Sequence, residues 1–231
     1  MRPWEEVIPE PDRRIYAAAG YGRRQELGTR AGLLVIDVVE SFTGSKPLPI
    51  SDAIKEYKTS CGEAAWVALP KIRTLLEGFR RRELPIVYTT GDPTAKVFSG
   101  NSTKGSLYNK ADETIHLHST KIPDMVAPLA SEYVLKKSKA SVFYATPLSA
   151  YFRKTGVDSL FVAGATTSGC IRSSVVDAYS SGFKVFVVEE CCFDRSPFSH
   201  LVNLFEMNQK YADVIALDTA LGMLDRHLEE T

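Results

Sequence analysis

The stretch 159–183, SLFVAGATTSGCIRSSVVDAYSSGF, constrains the fold more than any other part of the chain. Residues 160–163 form a short unbroken apolar run bounded by Gly164, the pattern of a strand buried on both faces. The small-residue turn Ala165-Thr166-Thr167-Ser168-Gly169 follows. Cys170 then opens a helical period with apolar Ile171, Val175, Ala178 and Tyr179. Cys170 is thus expected in the first turn of a helix that leaves a strand end. Free backbone N–H groups and the positive end of the helix dipole favour a thiolate there, and the same groups can hold a developing oxyanion. A buried structural Cys fits the same local pattern.

The rest of the chain repeats this alternation. Leu33-Leu34-Val35-Ile36 is a second continuous run, and it ends in Asp37. An Asp at the carboxyl end of a parallel strand lies where open α/β sheets place their sites, although it can equally cap the next turn. Further strands are expected over 84–90, 133–135, 185–188 and 213–215. Helices are expected over 63–82, 147–154, 200–210 and 217–228, the first with a stripe of Ala65, Ala68, Leu69, Ile72, Leu75, Leu76 and Phe79. Residues 41–60, with Gly44, Pro47 and Pro49, read as a loop, and 189–197 as a turn. Residues 123–129 read as a short helix or turn. The segment 91–120 has no clear period, and a connection of that length in a compact domain is often functional. Residues 1–30 read as an irregular arm. Strands alternating with helices give an α/β fold with a parallel sheet covered on both faces, expected as a single domain over 31–231.

Composition removes several classes of function. Lys+Arg and Asp+Glu both number 28, so no electrostatic footprint for nucleic acid or a membrane surface exists. No apolar run approaches the length of a membrane span, and the N-terminus lacks the apolar core of a signal peptide. A cytoplasmic protein is the expectation. The cysteines, Cys61, Cys170, Cys191 and Cys192, include no C-x-x-C pair, which points to reduced thiols. Neither a Walker-type loop nor a G-x-G-x-x-G after a strand is present, so no phosphate cradle is expected. His116 and His118 would face one side of a strand as a ligand pair, but only Asp112 and Glu113 accompany them, so no metal is expected.

Three polar groups fall near expected strand ends: Asp37, Cys170 and one of the lysines 136, 137 and 139. A thiolate attacks carbonyl carbon, a nearby ammonium favours the thiolate, and a carboxylate within reach exchanges the proton. Position alone does not choose among the lysines. Arg195, in FDRSP after a strand, reads either as a surface residue or as a fork for a carboxylate.

Three ordered segments, LLVIDVVESF, KSKASVFYATPL and VAGATTSGCIRSSVVDAYSSGFKVFVVEECCFDR, resemble the isochorismatase-like cysteine hydrolases. The resemblance covers nearly all of the chain after about residue 30. The segment CCFDRSPFSHLVNLFEMNQKYADVI is most similar to the N-carbamoylsarcosine and maleamate amidase branch. It implies a doubly wound, three-layer α/β/α fold with a six-stranded parallel sheet, and an Asp-Lys-Cys triad of Asp37, Lys137 and Cys170. The register K-S-K-A-S-V-F is what selects Lys137. The resemblance also implies a cis peptide bond at Ala165–Thr166, an oxyanion hole from the N–H groups of Thr166 and Cys170, and Arg195 with Thr166 as substrate-binding residues. It implies a cofactor-free amidohydrolase for a small carboxylate-bearing amide, working as a homo-oligomer, dimer or tetramer. The Asp-x-His metal site of nicotinamidases has no counterpart in PLPISDAIKEYK, and Cys170 argues against the vinyl-ether chemistry of relatives that lack the thiol. A non-catalytic binding protein on the same fold is the alternative.

Overall fold

A computed structural model describes residues 2–92 and 120–229. Six strands, β1 (Ala31–Ile36), β2 (Ile86–Gly91), β3 (Tyr133–Lys137), β4 (Ser159–Ala165), β5 (Lys184–Phe193) and β6 (Asp213–Ile215), form one parallel sheet in the order β3-β2-β1-β4-β5-β6. This is the doubly wound, three-layer α/β/α arrangement that the sequence implies. Every residue of β1 and β4 is buried, which is why both read as unbroken apolar runs.

Alternate side chains of each strand serve two cores. Leu33, Val35, Phe161 and Phe186 pack under α4 (Glu63–Arg80) and α8 (Leu217–Glu229). Leu34, Ile36, Val162 and Val187 pack under α5 (Leu148–Lys154), α6 (Arg172–Ser180) and α7 (Pro197–Lys210). The stripe read on α4 is the buried one, including Leu69, Ile72, Leu75, Leu76 and Phe79. Each such side chain contributes roughly 1.5–3 kcal/mol by leaving water. No helix among the described residues is long and apolar enough to cross a membrane.

Away from the Cys170 turn, the structure departs from the sequence reading chiefly in four places. The arm is not wholly irregular: after Pro9 it forms α1 (Glu10–Ala18), which buries no residue of its own. It is held by Trp4 and Tyr16 against Phe205, with ring centroids 6.1 and 5.2 Å apart, and by Gln25 donating to the Val185 carbonyl at 2.7 Å. The expected loop 41–60 contains α2 (Glu40–Thr43) and α3 (Ile50–Glu56). Pro49 precedes α3, and its exposed face carries a Lys55–Asp52 pair at 2.6 Å, so a short amphipathic turn lay hidden among loop-like residues. The expected turn 189–197 is strand as far as Phe193, because the β4–β5 register shifts between Val162↔Val187 and Gly164↔Cys192. The helix expected from His200 begins at Pro197, with Ser196 Oγ accepting from the Ser199 N–H. Segment 123–129 holds a single 3-10 turn, Asp124–Val126. Most of segment 91–120, with His116 and His118, lies outside the described residues.

Candidate active site

The strand order reverses between β1 and β4, and open α/β sheets hold ligands in the crevice at that point. Asp37 follows β1 directly. It adopts φ +50°, a left-handed conformation that Asp tolerates better than most residues. Its N–H approaches both the carbonyl and the hydroxyl oxygen of Thr89 at 3.2 Å, and the Thr89 hydroxyl donates to Asp37 Oδ1 at 2.8 Å. Thr89 stands opposite Ile36 in the β1–β2 register, so adjacent parallel strands fix the carboxylate. Oδ2 remains for Lys137.

Lys137 closes β3. Strand alternation buries Leu135 and Lys137 on one face and exposes Val134 and Lys136 on the other. That alternation puts Lys137, and not Lys136, on the buried face. Its Nζ lies 2.6 Å from Asp37 Oδ2, 3.0 Å from the Lys139 carbonyl oxygen and 3.4 Å from Cys170 Sγ. Burial disfavours the ammonium, but Asp37 and Cys170 outweigh it and hold the pKa above the ordinary lysine value.

Cys170 sits in the turn after β4, which differs from the α-helical start expected for it. Residues Thr167–Ile171 form a π-helical turn, with the Thr166 carbonyl accepting from the N–H groups of Gly169 (2.9 Å) and Ile171 (3.1 Å). The α-helix begins at Arg172. Wide turns of this type recur at functional sites. The Ala165–Thr166 peptide bond is cis. Gly164, at φ +114°, lets β4 close on β1: a Cβ there would lie 2.0 Å from the Ile36 carbonyl oxygen. Ser174 Oγ donates to the Cys170 carbonyl at 2.6 Å and accepts from the Val142 N–H at 3.1 Å, tying the turn to the segment after β3.

The thiol is not the low-pKa thiolate that a helix start favours. Burial and the adjacent Asp37 carboxylate, which shares a hydrogen bond with it, push Cys170 up to about 12 against the opposing effect of Lys137. The thiol, the Asp37 carboxyl group and the Lys137 amine thus lie within reach of one another. Such a trio can pass the thiol proton to Asp37 as the sulfur attacks and return it afterwards. The other cysteines, Cys61, Cys191 and Cys192, are free and buried.

Arg195 follows β5. Its Nη2 donates to the Thr59 carbonyl, and the guanidinium lies 5.8 Å from the centroid of the Phe42 ring. It is only partly buried, beside Asp194 and shortly before His200 of α7, both of which touch the Cys170 turn. The structure thus brings Asp37, Lys137 and Cys170 into contact, with Thr166 opening the same turn. Arg195 joins them through its neighbour rather than directly. Thr89, Asp194 and His200 were missed by sequence reasoning. Polar Thr89 at the end of the apolar run IVYTT was the one legible signal. Among the described residues no group of three or more His, Cys, Asp or Glu could hold a metal ion.

Comparison with known proteins agrees with this fold. The isochorismatase domain model matches residues 31–219. N-carbamoylsarcosine amidase of an Arthrobacter species is 30% identical over 91% of this chain and 77% of its own. Maleamate amidohydrolase of Pseudomonas putida is 48% identical over a shorter alignment, 46% of this chain and 49% of the relative. Among solved structures, N-carbamoylsarcosine amidase from Thermoplasma acidophilum superposes with a TM-score of 0.59 at 25% identity, covering 82% of this chain and 97% of that one. An isochorismatase family protein from Burkholderia thailandensis shares the fold, with a TM-score of 0.71 over 87% of this chain and 98% of its own, at 16% identity. From the sheet order, the turn after β4 and a domain match spanning most of the sequence, the chain belongs to the isochorismatase family.

Proposed function

We propose that this protein is a cysteine-dependent amidohydrolase that releases ammonia from a small amide or carbamoyl compound bearing a carboxylate. The observation that carries the reading is the bridge made by Lys137 Nζ between Asp37 Oδ2 at 2.6 Å and Cys170 Sγ at 3.4 Å. Asp37 takes the thiol proton as Sγ attacks the carbonyl carbon, and the charge of Lys137 offsets the negative charge that develops on sulfur. The carbonyl oxygen becomes an oxyanion held by the N–H groups of Thr166 and Cys170. Collapse breaks the C–N bond, Asp37 returns its proton to the leaving nitrogen, and ammonia departs. Water then adds to the S-acyl or S-carbamoyl enzyme, Asp37 accepts its proton, and the C–S bond breaks as that proton returns to sulfur. A carbamoyl substrate leaves as a carbamate, which loses carbon dioxide to give the free amine.

Arg195 is the group that would bind the substrate carboxylate. Thr59 and Phe42 hold its guanidinium, and a held fork loses less entropy on binding than a free one. N-carbamoylsarcosine is the first substrate in this reading and maleamate the second. Both carry a terminal C(=O)NH2 a short distance from a carboxylate, and the two amidases that match the chain act on these compounds by name. The test is ammonia release from N-carbamoylsarcosine, maleamate and nicotinamide, with Cys170→Ala alongside. Release from one carboxylate substrate, abolished in the variant, is expected. Release that survives Cys170→Ala would sink the mechanism. Arg195→Ala is expected to raise KM for that substrate by about tenfold or more, the size of one charge-assisted contact, with a smaller change in kcat. An unchanged KM would remove Arg195 from the binding site.

A further inference from the structure

The connection from β5 to α7, together with the first turn of α7, grips the nucleophile turn at two consecutive residues. Asp194 Oδ2 accepts from both the N–H and the hydroxyl of Ser168, each at 2.7 Å. His200 Nδ1 lies 2.7 Å from Thr167 Oγ1. The other oxygen of Asp194, Oδ1, accepts from the Arg195 N–H at 2.8 Å. Asp194 is only 6% exposed, so its carboxylate meets these three donors with little competition from water. Charged or titratable groups facing it are Arg195 beside it, His200 from α7 and Cys61 from the segment before α4.

We propose that Asp194 is a positioning residue that couples the two halves of the site. One buried carboxylate fixes the turn that carries Cys170 and, through its second oxygen, the backbone of Arg195. The inference rests on the reading of Cys170 as nucleophile and Arg195 as carboxylate anchor, and it gives that reading a specificity device. A rigid acid spacer sets the distance between the attacked carbonyl and the substrate carboxylate, so amides of one length fit.

The test uses two readouts that do not depend on turnover. Alkylation of Cys170 by iodoacetamide against pH reports whether the sulfur still sits beside Asp37 and Lys137. The rate ratio of iodoacetate to iodoacetamide, which differ in a carboxylate, reports whether Arg195 is in place. Cys170→Ala supplies the background from the three other thiols. In Asp194→Asn, which keeps the side-chain volume but leaves one oxygen for three donors, the alkylation midpoint is expected to fall toward the ordinary thiol value of about 8.5. The iodoacetate ratio is expected to fall by about fivefold or more, within the range of one charged contact. Ser168→Ala, a milder change that spares the Arg195 side, is expected to lower the midpoint and keep the ratio. A parental midpoint in Ser168→Ala, or the loss of only one property in a folded Asp194→Asn, overturns the coupling. Should no amide be hydrolysed by the parent, the functional reading falls while these two readouts still decide the role of Asp194.

Discussion

Two aspartates in this chain each gather several N–H and O–H donors, one at either end of the sheet. Asp158, before β4, takes the Thr29 N–H and hydroxyl on Oδ2 at 2.7 and 2.5 Å, and the Arg30 N–H and Ser159 hydroxyl on Oδ1 at 3.2 and 2.9 Å. Asp194, after β5, takes three donors at 2.7–2.8 Å. The number of bonds is similar but the surroundings are not. Thr29 and Arg30 are exposed, so water stands in for Asp158 whenever those bonds break. Asp194 is itself buried and its donors on Ser168 and Arg195 are partly so, which leaves water less room to take its place. A polar bond is worth little where solvent competes and much where a broken one leaves buried donors unmet. The amino edge of this sheet therefore serves stability with redundant, replaceable bonds. The carboxyl edge, where Asp37 and Lys137 are also buried, holds groups whose loss is not made good.

The sharpest way to break that contrast is Asp37→Asn. Removing a proton carrier is expected to lower kcat by about a thousandfold or more. The same change removes the carboxylate that raises the thiol and leaves Lys137, which lowers it, so the Cys170 midpoint should fall below that of the parent. Thiolate absorbance against pH gives the midpoint and ammonia release gives kcat. A variant with a lower midpoint and parental turnover would show that a more available thiolate suffices, and the proton carrier role would fail.

Gly164→Ala comes next. The new Cβ would enter at 2.0 Å from the Ile36 carbonyl oxygen at φ +114°, so β1 and β4 must part where Asp37 and the Cys170 turn leave them. Roughly 3 kcal/mol of destabilisation is expected, with loss of activity in the protein that still folds. Denaturant unfolding measures the first. A loss below about 1 kcal/mol would mean that the strands yield more easily than the register implies.

Thr89→Val tests a finer point at the same edge. The valine is nearly isosteric but cannot donate to Asp37 Oδ1, and so frees the carboxylate to turn. A drop in kcat of about tenfold, the effect of one buried hydrogen bond, is expected with KM little changed, and Thr89→Ser should recover most of it. Equal kcat in Val and Ser variants would leave Thr89 without a positioning role.

How far the sequence displayed all this follows from the range of the interactions. β1 and β4 were legible because burial on both faces writes itself as unbroken runs such as LLVI and LFVA. Asp37 and Cys170 stood out because strand ends are marked by where such runs stop, whereas Lys137 was separated from Lys136 and Lys139 only by the family resemblance. Asp194 was not legible, since its partner Ser168 lies 26 residues away and nothing in FDRSP points to it. The end of β5 was hidden for a related reason. Glu189 and Glu190 interrupt the apolar run, and the strand continues past them only because Cys192 and Phe193 find new partners in Gly164 and Ala165. The raised thiol pKa was also out of reach, because it depends on burial and on the approach of Asp37 rather than on the helix start that the spacing suggested.

The smallest expected effect is at Asp158, and it tests the other side of the contrast. Burial works against its carboxylate, yet the bonds from Thr29, Arg30 and Ser159 prevail and hold its pKa below the ordinary aspartate value. A depressed folded pKa stabilises the fold above the unfolded value of about 4 and is lost as pH falls through the folded one. Asp158→Ala should then cost about 1 kcal/mol at pH 7, after allowing for solvent access, and the gap from the parent should narrow below about pH 4. Because Gly28 to Arg30 lead from the arm into β1 at the edge remote from Cys170, kcat should not change. Unfolding at pH 7 and at pH 3, with kcat at neutral pH, measures all three. A kcat loss as large as that of Thr89→Val would show that the arm reaches the site, and the division between a stabilising edge and a catalytic one would have to be given up.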